Sequence, residues 1–159
     1  MEKLYQILDQ LNISYEKLEH QPVFTAEEAE KVCAELKGVK NKSLFLRNKK
    51  GDTHYLVVIE SNKQADIKKL EQLLNESRLS FASPDRLKKY LNLIPGSVSS
   101  FGLINDQNHE VKVIVDQDLL NDEFIQLHPN INTATLVIST SDYQKFLKWT
   151  GNKITYLNL

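Results

Sequence analysis

The stretch SLFLRNKKGDTHYLVVIE, residues 43–60, decides the fold class. Its two ends, Ser43 to Asn48 and His54 to Glu60, read as strands, and Asn48-Lys49-Lys50-Gly51-Asp52 between them reads as a turn. A β-hairpin is therefore expected in the middle of the chain. Working toward the N-terminus, Thr25-Ala26-Glu27-Glu28 is a capping box that opens a helix with Ala29, Val32, Cys33 and Leu36 on one stripe, stopping at Gly38. Cys33 on that stripe is expected to act as a small buried hydrophobe and not as a nucleophile. Before it lie the loop His20 to Phe24, a short strand around Ile13 to Leu18, and a first helix with Leu4, Ile7, Leu8 and Leu11 at helical spacing. Toward the C-terminus, Ile67, Leu70, Leu73 and Leu74 mark another helix. Ser83-Pro84 caps and starts one that buries Leu87, Tyr90 and Leu91. After a loop over residues 94–100, strands are expected at Phe101 to Ile104 and Val111 to Val115, turned by residues 105–108, then at Phe124 to Leu127 and Thr135 to Ser139. A helix with Tyr143, Phe146 and Leu147, ending at Gly151, closes the pattern. Hairpins mixed with helices, without regular βαβ alternation, predict an α+β protein with a mixed, mostly antiparallel sheet.

The chain of 159 residues suits one domain, over residues 1–159. With 41% hydrophobic and 26% charged residues it can build a core. The longest apolar runs, such as Tyr55 to Ile59, are too short for a bilayer, and no signal peptide or anchor is visible, so a soluble cytoplasmic protein is expected. Net charge is −1, but it is unevenly spread. Residues 1–35 carry three basic and eight acidic side chains, whereas residues 36–50 carry six basic and none acidic. Such a block is compatible with an ordinary solvated surface and also with a local field for phosphates.

Several chemistries lack their residues. No Gly-x-Gly-x-x-Gly or phosphate-binding Gly-x-x-x-x-Gly-Lys-Ser/Thr occurs, which leaves nucleotide cofactors without support. His20, His54, His109 and His128 never pair at i+3 or i+4, and Cys33 is the only cysteine. A metal would need ligands gathered from distant positions, and none is expected. Gly96-Ser97-Val98 begins like a hydrolase elbow, but the fifth position is Ser100. An enzyme of this sequence is expected to work without metal, cofactor or protein nucleophile.

Four segments in order carry a resemblance: residues 20–25 (HQPVFT), 42–46 (KSLFL), 95–106 (PGSVSSFGLIND) and 128–135 (HPNINTAT). Together they resemble the YbaK/prolyl-tRNA synthetase editing-domain superfamily, most nearly its free-standing ProX branch (also called PrdX or ProXp-ala), from about residue 1 to about residue 151. The resemblance implies a barrel-like mixed sheet with helices outside. It also implies hydrolysis of mischarged tRNA(Pro), with alanine as the preferred acyl group, aminoacylated tRNA as the partner and prolyl-tRNA synthetase as a further one. No membrane or cofactor is implied, and a monomer is expected.

By the same resemblance Lys42 stands at the family's key lysine. Water attack on the aminoacyl ester puts negative charge on the carbonyl oxygen, and an ammonium in a partly dry pocket stabilises it. Backbone amides of Gly96, Ser97, Val98, Ser99 and Ser100 would share this task, while the terminal ribose hydroxyl positions the water. His20, Val23, Phe24, Thr25, Ser43, His128, Asn132 and Thr133 would line the acyl pocket; Thr25 is equally explained as a helix cap and His128 as a loop hydrogen-bond partner. Lys40, Arg47, Lys49 and Lys50 would touch the acceptor stem. Two positions depart from the family pattern. Ser100 replaces the proline of a Gly-x-x-x-Pro loop, which would loosen the loop, and Ser43 replaces an asparagine after the lysine. Both bear on acyl choice, so Cys-tRNA(Pro), Ser-tRNA and a non-catalytic tRNA- or synthetase-associated binding module stay open as alternatives.

Overall fold

The computed structural model describes residues 2–20, 36–131 and 133–159. The expected capping box and helix at 25–36 fall outside them, apart from Leu36. The elements in order are α1 (Glu2–Gln10), β1 (Glu16–Glu19), β2 (Asn41–Asn48), β3 (His54–Glu60), α2 (Ile67–Leu73), β4 (Leu79–Phe81), α3 (Pro84–Leu91), a 3₁₀ helix (Ser100–Asn105), β5 (Val111–Asp116), a second 3₁₀ turn (Gln117–Asn121), β6 (Phe124–Leu127), β7 (Ala134–Ser139), α4 (Thr140–Thr150) and β8 (Ile154–Leu157). The class is α+β, as expected.

The strands form two sheets rather than one closed barrel. One has the order β4-β2-β3-β5-β8 and the other β1-β7-β6. The expected hairpin is there: β2 and β3 are antiparallel, with Lys42 opposite Ile59 and Arg47 opposite His54, and Gly51 supplies the left-handed turn at φ 73°. A single parallel bridge between Val39 and Ile125 joins the sheets where the chain enters β2. Antiparallel pairs dominate, but β5 runs parallel to both β3 and β8.

Alternation along β2 and β3 sorts their side chains into two cores. Phe45, Leu56 and Val58 face the main core with Val113, Val115, Ile125, Leu136 and Phe146. Leu46, Tyr55 and Val57 face a second, smaller core closed by Leu70 of α2 and Leu79 of β4. Helix α3 starts as its sequence dictates, with Ser83 Oγ accepting from the Arg86 amide ahead of Pro84, and α4 ends at Gly151 with φ 80°.

Two expectations are corrected. Phe101 to Ile104 is not a strand, and no hairpin joins it to β5. Ser99 caps this run, its Oγ accepting from the Phe101 amide, and the buried segment winds into a 3₁₀ helix. A short apolar run cannot be assigned to strand or helix by periodicity alone. At its centre, a Cβ on Gly102 would lie 2.6 Å from Leu93 Cδ1, so the helix packs closely on the end of α3. Conversely, β4 and β8 are strands that the sequence pattern did not signal. They have three and four residues and sit at the sheet edges. Among the described residues no helix is long and apolar enough to cross a membrane.

Candidate active site

Lys42 lies at the start of β2 and is half-buried. Its neighbour Ser43 shares the inward face with Phe45, so the two side chains leave the strand on opposite sides. Val39, on the inward parity, bridges Ile125. Alternation from that bridge puts Lys40 and Lys42 on the face that carries Gln126 and His128 of the neighbouring strand. Gln126 fastens the chain entering β2: its Nε2 donates to the carbonyls of Leu36, Lys37 and Gly38, and its own carbonyl accepts from Asn41 Nδ2 at 2.8 Å. Lys42 has no salt-bridge or hydrogen-bond partner among the described residues, which leaves its ammonium available to a ligand.

The same face carries a histidine pair. His20, just past β1, sits 3.0 Å (Nε2) from Thr135 Oγ1, and its backbone amide donates to the Thr133 carbonyl at 2.8 Å. His128, just past β6, donates from Nδ1 to the Ala134 carbonyl at 3.3 Å. Burial holds His128 below its ordinary value, the hydrogen bond to Ala134 opposes that, and the nearby His20 lowers it further. The carbonyl of Ala134 fixes a proton on Nδ1, and among the described residues no donor meets the Nε2 lone pair.

The loop at residues 96–100 packs against this histidine. Gly96 turns it with φ 88°. Ser99 Oγ donates to the His128 carbonyl at 2.6 Å, and Asn130 Nδ2 donates to the Phe101 carbonyl at 3.3 Å. Ser97 is buried, its amide donating to the Ile94 carbonyl, whereas the amides of Val98, Ser99 and Ser100 meet no acceptor among the described residues. Ser100 is fully buried, with its Oγ 2.8 Å from the hydroxyl of Tyr143 on α4. Where the family pattern has proline, this serine is held through its side chain. Its backbone would even accept proline, because Ser99 is extended (φ −150°, ψ 150°) and Ser100 opens the 3₁₀ helix.

Of the expected site residues, hydrogen bonds bring His20 to Thr133 and His128 to the loop at Ser99, next to Ser100, while Lys42 is related to them only by strand alternation from the Val39–Ile125 bridge. Ser43, half-buried, leaves β2 on the side opposite Lys42. Val23, Phe24, Thr25 and Asn132 lie outside the described residues. Arg47, Lys49 and Lys50 stand at the far end of β2, roughly 17 Å from Lys42 at the rise of an extended strand. Tyr143, Asn130 and Thr135 join these hydrogen bonds although the sequence pattern did not single them out as site residues; Asn130 and Thr135 lay within a quoted motif and Tyr143 did not.

Among the described residues one group could hold a metal: carboxylate oxygens of Glu60, Asp116 and Asp118 lie within 4.8 Å of one another. A cation already fills the position. Lys63 Nζ reaches Asp116 at 2.9 Å, Asp118 at 2.6 Å and the Leu159 carbonyl at 2.9 Å.

Residues 20–146 match the family model for the aminoacyl-tRNA editing domain, and the chain belongs to that family. It is 45% identical over 152 residues to the prolyl-tRNA editing protein ProX of Acetoanaerobium sticklandii, covering 96% of this chain and 93% of that protein. It is 32% identical over 160 residues to prolyl-tRNA synthetase associated domain-containing protein 1 of Mus musculus, covering 98% and 94%. A solved structure described as a trans-editing enzyme for prolyl tRNA synthetase shares the fold, with TM-score 0.71, 21% identity, and coverage of 98% of this chain and 94% of that one.

Proposed function

We infer that this protein is a trans-editing aminoacyl-tRNA deacylase acting on mischarged tRNA(Pro), with Ala-tRNA(Pro) as its main substrate. The observation that carries the reading is the 45% identity, over nearly all of both chains, to a prolyl-tRNA editing protein. The bond to be broken is the ester between the amino acid and the terminal ribose. Lys42 orients the ester carbonyl and stabilises the charge that water attack places on its oxygen, a role that its half-buried and unneutralised state supports. The amides of Val98, Ser99 and Ser100 are suited to share that charge, since they have no acceptor of their own among the described residues. His128 offers its Nε2 lone pair to the attacking water or to the substrate's amino group, and the vicinal ribose hydroxyl positions the water. No cofactor enters this reading, and the protein acts as a monomer in the cytoplasm, with prolyl-tRNA synthetase as the source of its substrate.

Selection for alanine works by exclusion. A pocket that cannot contain the proline ring spares the correct product, whereas attraction alone separates one methylene by only ~1–3 kcal/mol. A panel of Ala-, Cys-, Ser- and Pro-tRNA under single-turnover conditions tests the reading. Deacylation of Ala-tRNA(Pro) well above the others supports it. Faster Cys- or Ser-tRNA hydrolysis would reassign the acyl group, and binding without hydrolysis of any member would make this a binding module.

A further inference from the structure

The turn at the far end of β2 gathers positive charge over a backbone point. A Cβ on Gly51 would lie 2.9 Å from Arg86 Nη2 and 3.2 Å from Arg47 Nη2. Two guanidiniums therefore stand within about 6 Å of each other, where they repel. Both are half-buried, and neither has a carboxylate within salt-bridge distance among the described residues. Asp52, the acid of the turn, is taken up by Asn48 Nδ2 at 2.7 Å and Thr53 Oγ1 at 3.3 Å.

The inward hydrogens of both forks are spent on holding them in place. Arg86 Nη1 donates to the Gly51 carbonyl and to His54 Nε2, each at 3.0 Å, and Arg47 donates to the carbonyls of Asn48 and Lys49. His54 must be neutral to accept from a guanidinium. Burial and then the charges of Arg86, Arg47 and Lys89 push its ring down to about 4. Arg86 Nη2 has no acceptor among the described residues, and the exposed Lys49, Lys50 and Lys89 surround the pair. Fixed forks with outward N–H groups and no internal counter-charge suit a phosphate, whose oxygens accept from two guanidiniums at once.

We propose that Arg47 and Arg86, converging over Gly51, form a phosphodiester clamp for the acceptor stem of tRNA. This rests on the editing reading above. The clamp lies roughly 17 Å along β2 from Lys42, a span of about five stacked nucleotides. It therefore meets the backbone near the start of the paired stem when the 3′ sugar is at Lys42. The clamp supplies affinity and register, not chemistry.

The test measures binding of uncharged tRNA(Pro) between 50 and 200 mM salt for wild type, Arg47→Gln, Arg86→Gln, the double variant and Arg86→Lys, with an unfolding midpoint for each. Single-turnover deacylation is followed in parallel. Each Gln variant is expected to weaken binding about 5- to 10-fold and to lower the slope of log K against log salt by roughly 0.7–0.9. Deacylation at sub-saturating protein should fall in step with the loss of affinity. Arg86→Lys should keep the slope and lose part of the affinity, since a point charge replaces the fork. A folded double variant with wild-type affinity and slope overturns the clamp. Should the Gln variants fail to fold, arginine-specific modification of the wild type decides. Slowing at Arg47 and Arg86 by tRNA supports the clamp, and unslowed modification overturns it. A wild type that binds tRNA through these residues but deacylates nothing overturns the editing reading and leaves the clamp standing.

Discussion

Ser100 offers a sharp test of how the loop beside His128 is held. Its hydroxyl and that of Tyr143 are both buried and lie 2.8 Å apart, so removing either orphans the other. Tyr143→Phe should cost about 1–3 kcal/mol, the penalty for an unsatisfied buried hydroxyl. Ser100→Pro should cost a similar amount by orphaning Tyr143, reduced by the ~0.4–1 kcal/mol that proline contributes by restricting the unfolded chain. The double variant leaves no orphan, so its loss should fall well below the sum of the two singles, with a coupling of at least ~1 kcal/mol. Urea denaturation of the four proteins measures this, and at this chain length each kcal/mol moves the melting midpoint by roughly 2–4 °C. Additive losses within about 0.3–0.5 kcal/mol would refute the anchoring role of this hydrogen bond.

Further expectations concern charge and packing. His54 is depressed in the folded protein to about 4, so between its ordinary value near 6.5 and pH 4 the unfolded chain binds a proton that the folded one refuses. Stability should fall with acidification across that window, by up to about 3 kcal/mol, and His54→Gln, which keeps an acceptor for Arg86, should flatten this part of the urea-derived profile. An unchanged profile would contradict the assignment. Lys63→Met strips the cation from Asp116, which is wholly buried. Because Lys63 itself is partly exposed, the loss should be about 2–3 kcal/mol, below the full penalty of a broken interior pair, and calorimetry reads it as a lower midpoint. Gly102→Ala drives a methyl into Leu93 and should cost ~1–3 kcal/mol, measured in the same way.

Legibility followed the strength of the local physical signal. The hairpin at 43–60 was readable because turn residues and two strand runs agree. Ser83-Pro84 and Gly151 were readable because caps have side-chain or backbone requirements of their own. The run at Phe101 was misread because four apolar residues carry no period, and what bends them into a 3₁₀ helix is a cap hydroxyl and the packing of Gly102 on Leu93. The edge strands β4 and β8 owe their existence to partners far along the chain: β8 lies on β5, and residue 113 pairs with residue 154. In the site, Lys42 was legible only through its motif. That Ser43 leaves β2 on the same side as Phe45 follows from a strand register that its short motif does not reveal. Tyr143 was read as a core residue, and its partnership with Ser100 spans 43 positions. Arg86 likewise reaches the turn only through the docking of α3.

The Lys42 ammonium is proposed to stabilise the transition state of ester hydrolysis. Single-turnover deacylation of Ala-tRNA(Pro) by Lys42→Ala, beside wild type and with unfolding midpoints matched, tests it directly. The rate is expected to fall by at least ~100-fold, the scale of losing one stabilising group at a developing oxyanion, with tRNA affinity changed only slightly. A folded Lys42→Ala protein that deacylates at the wild-type rate would contradict the account.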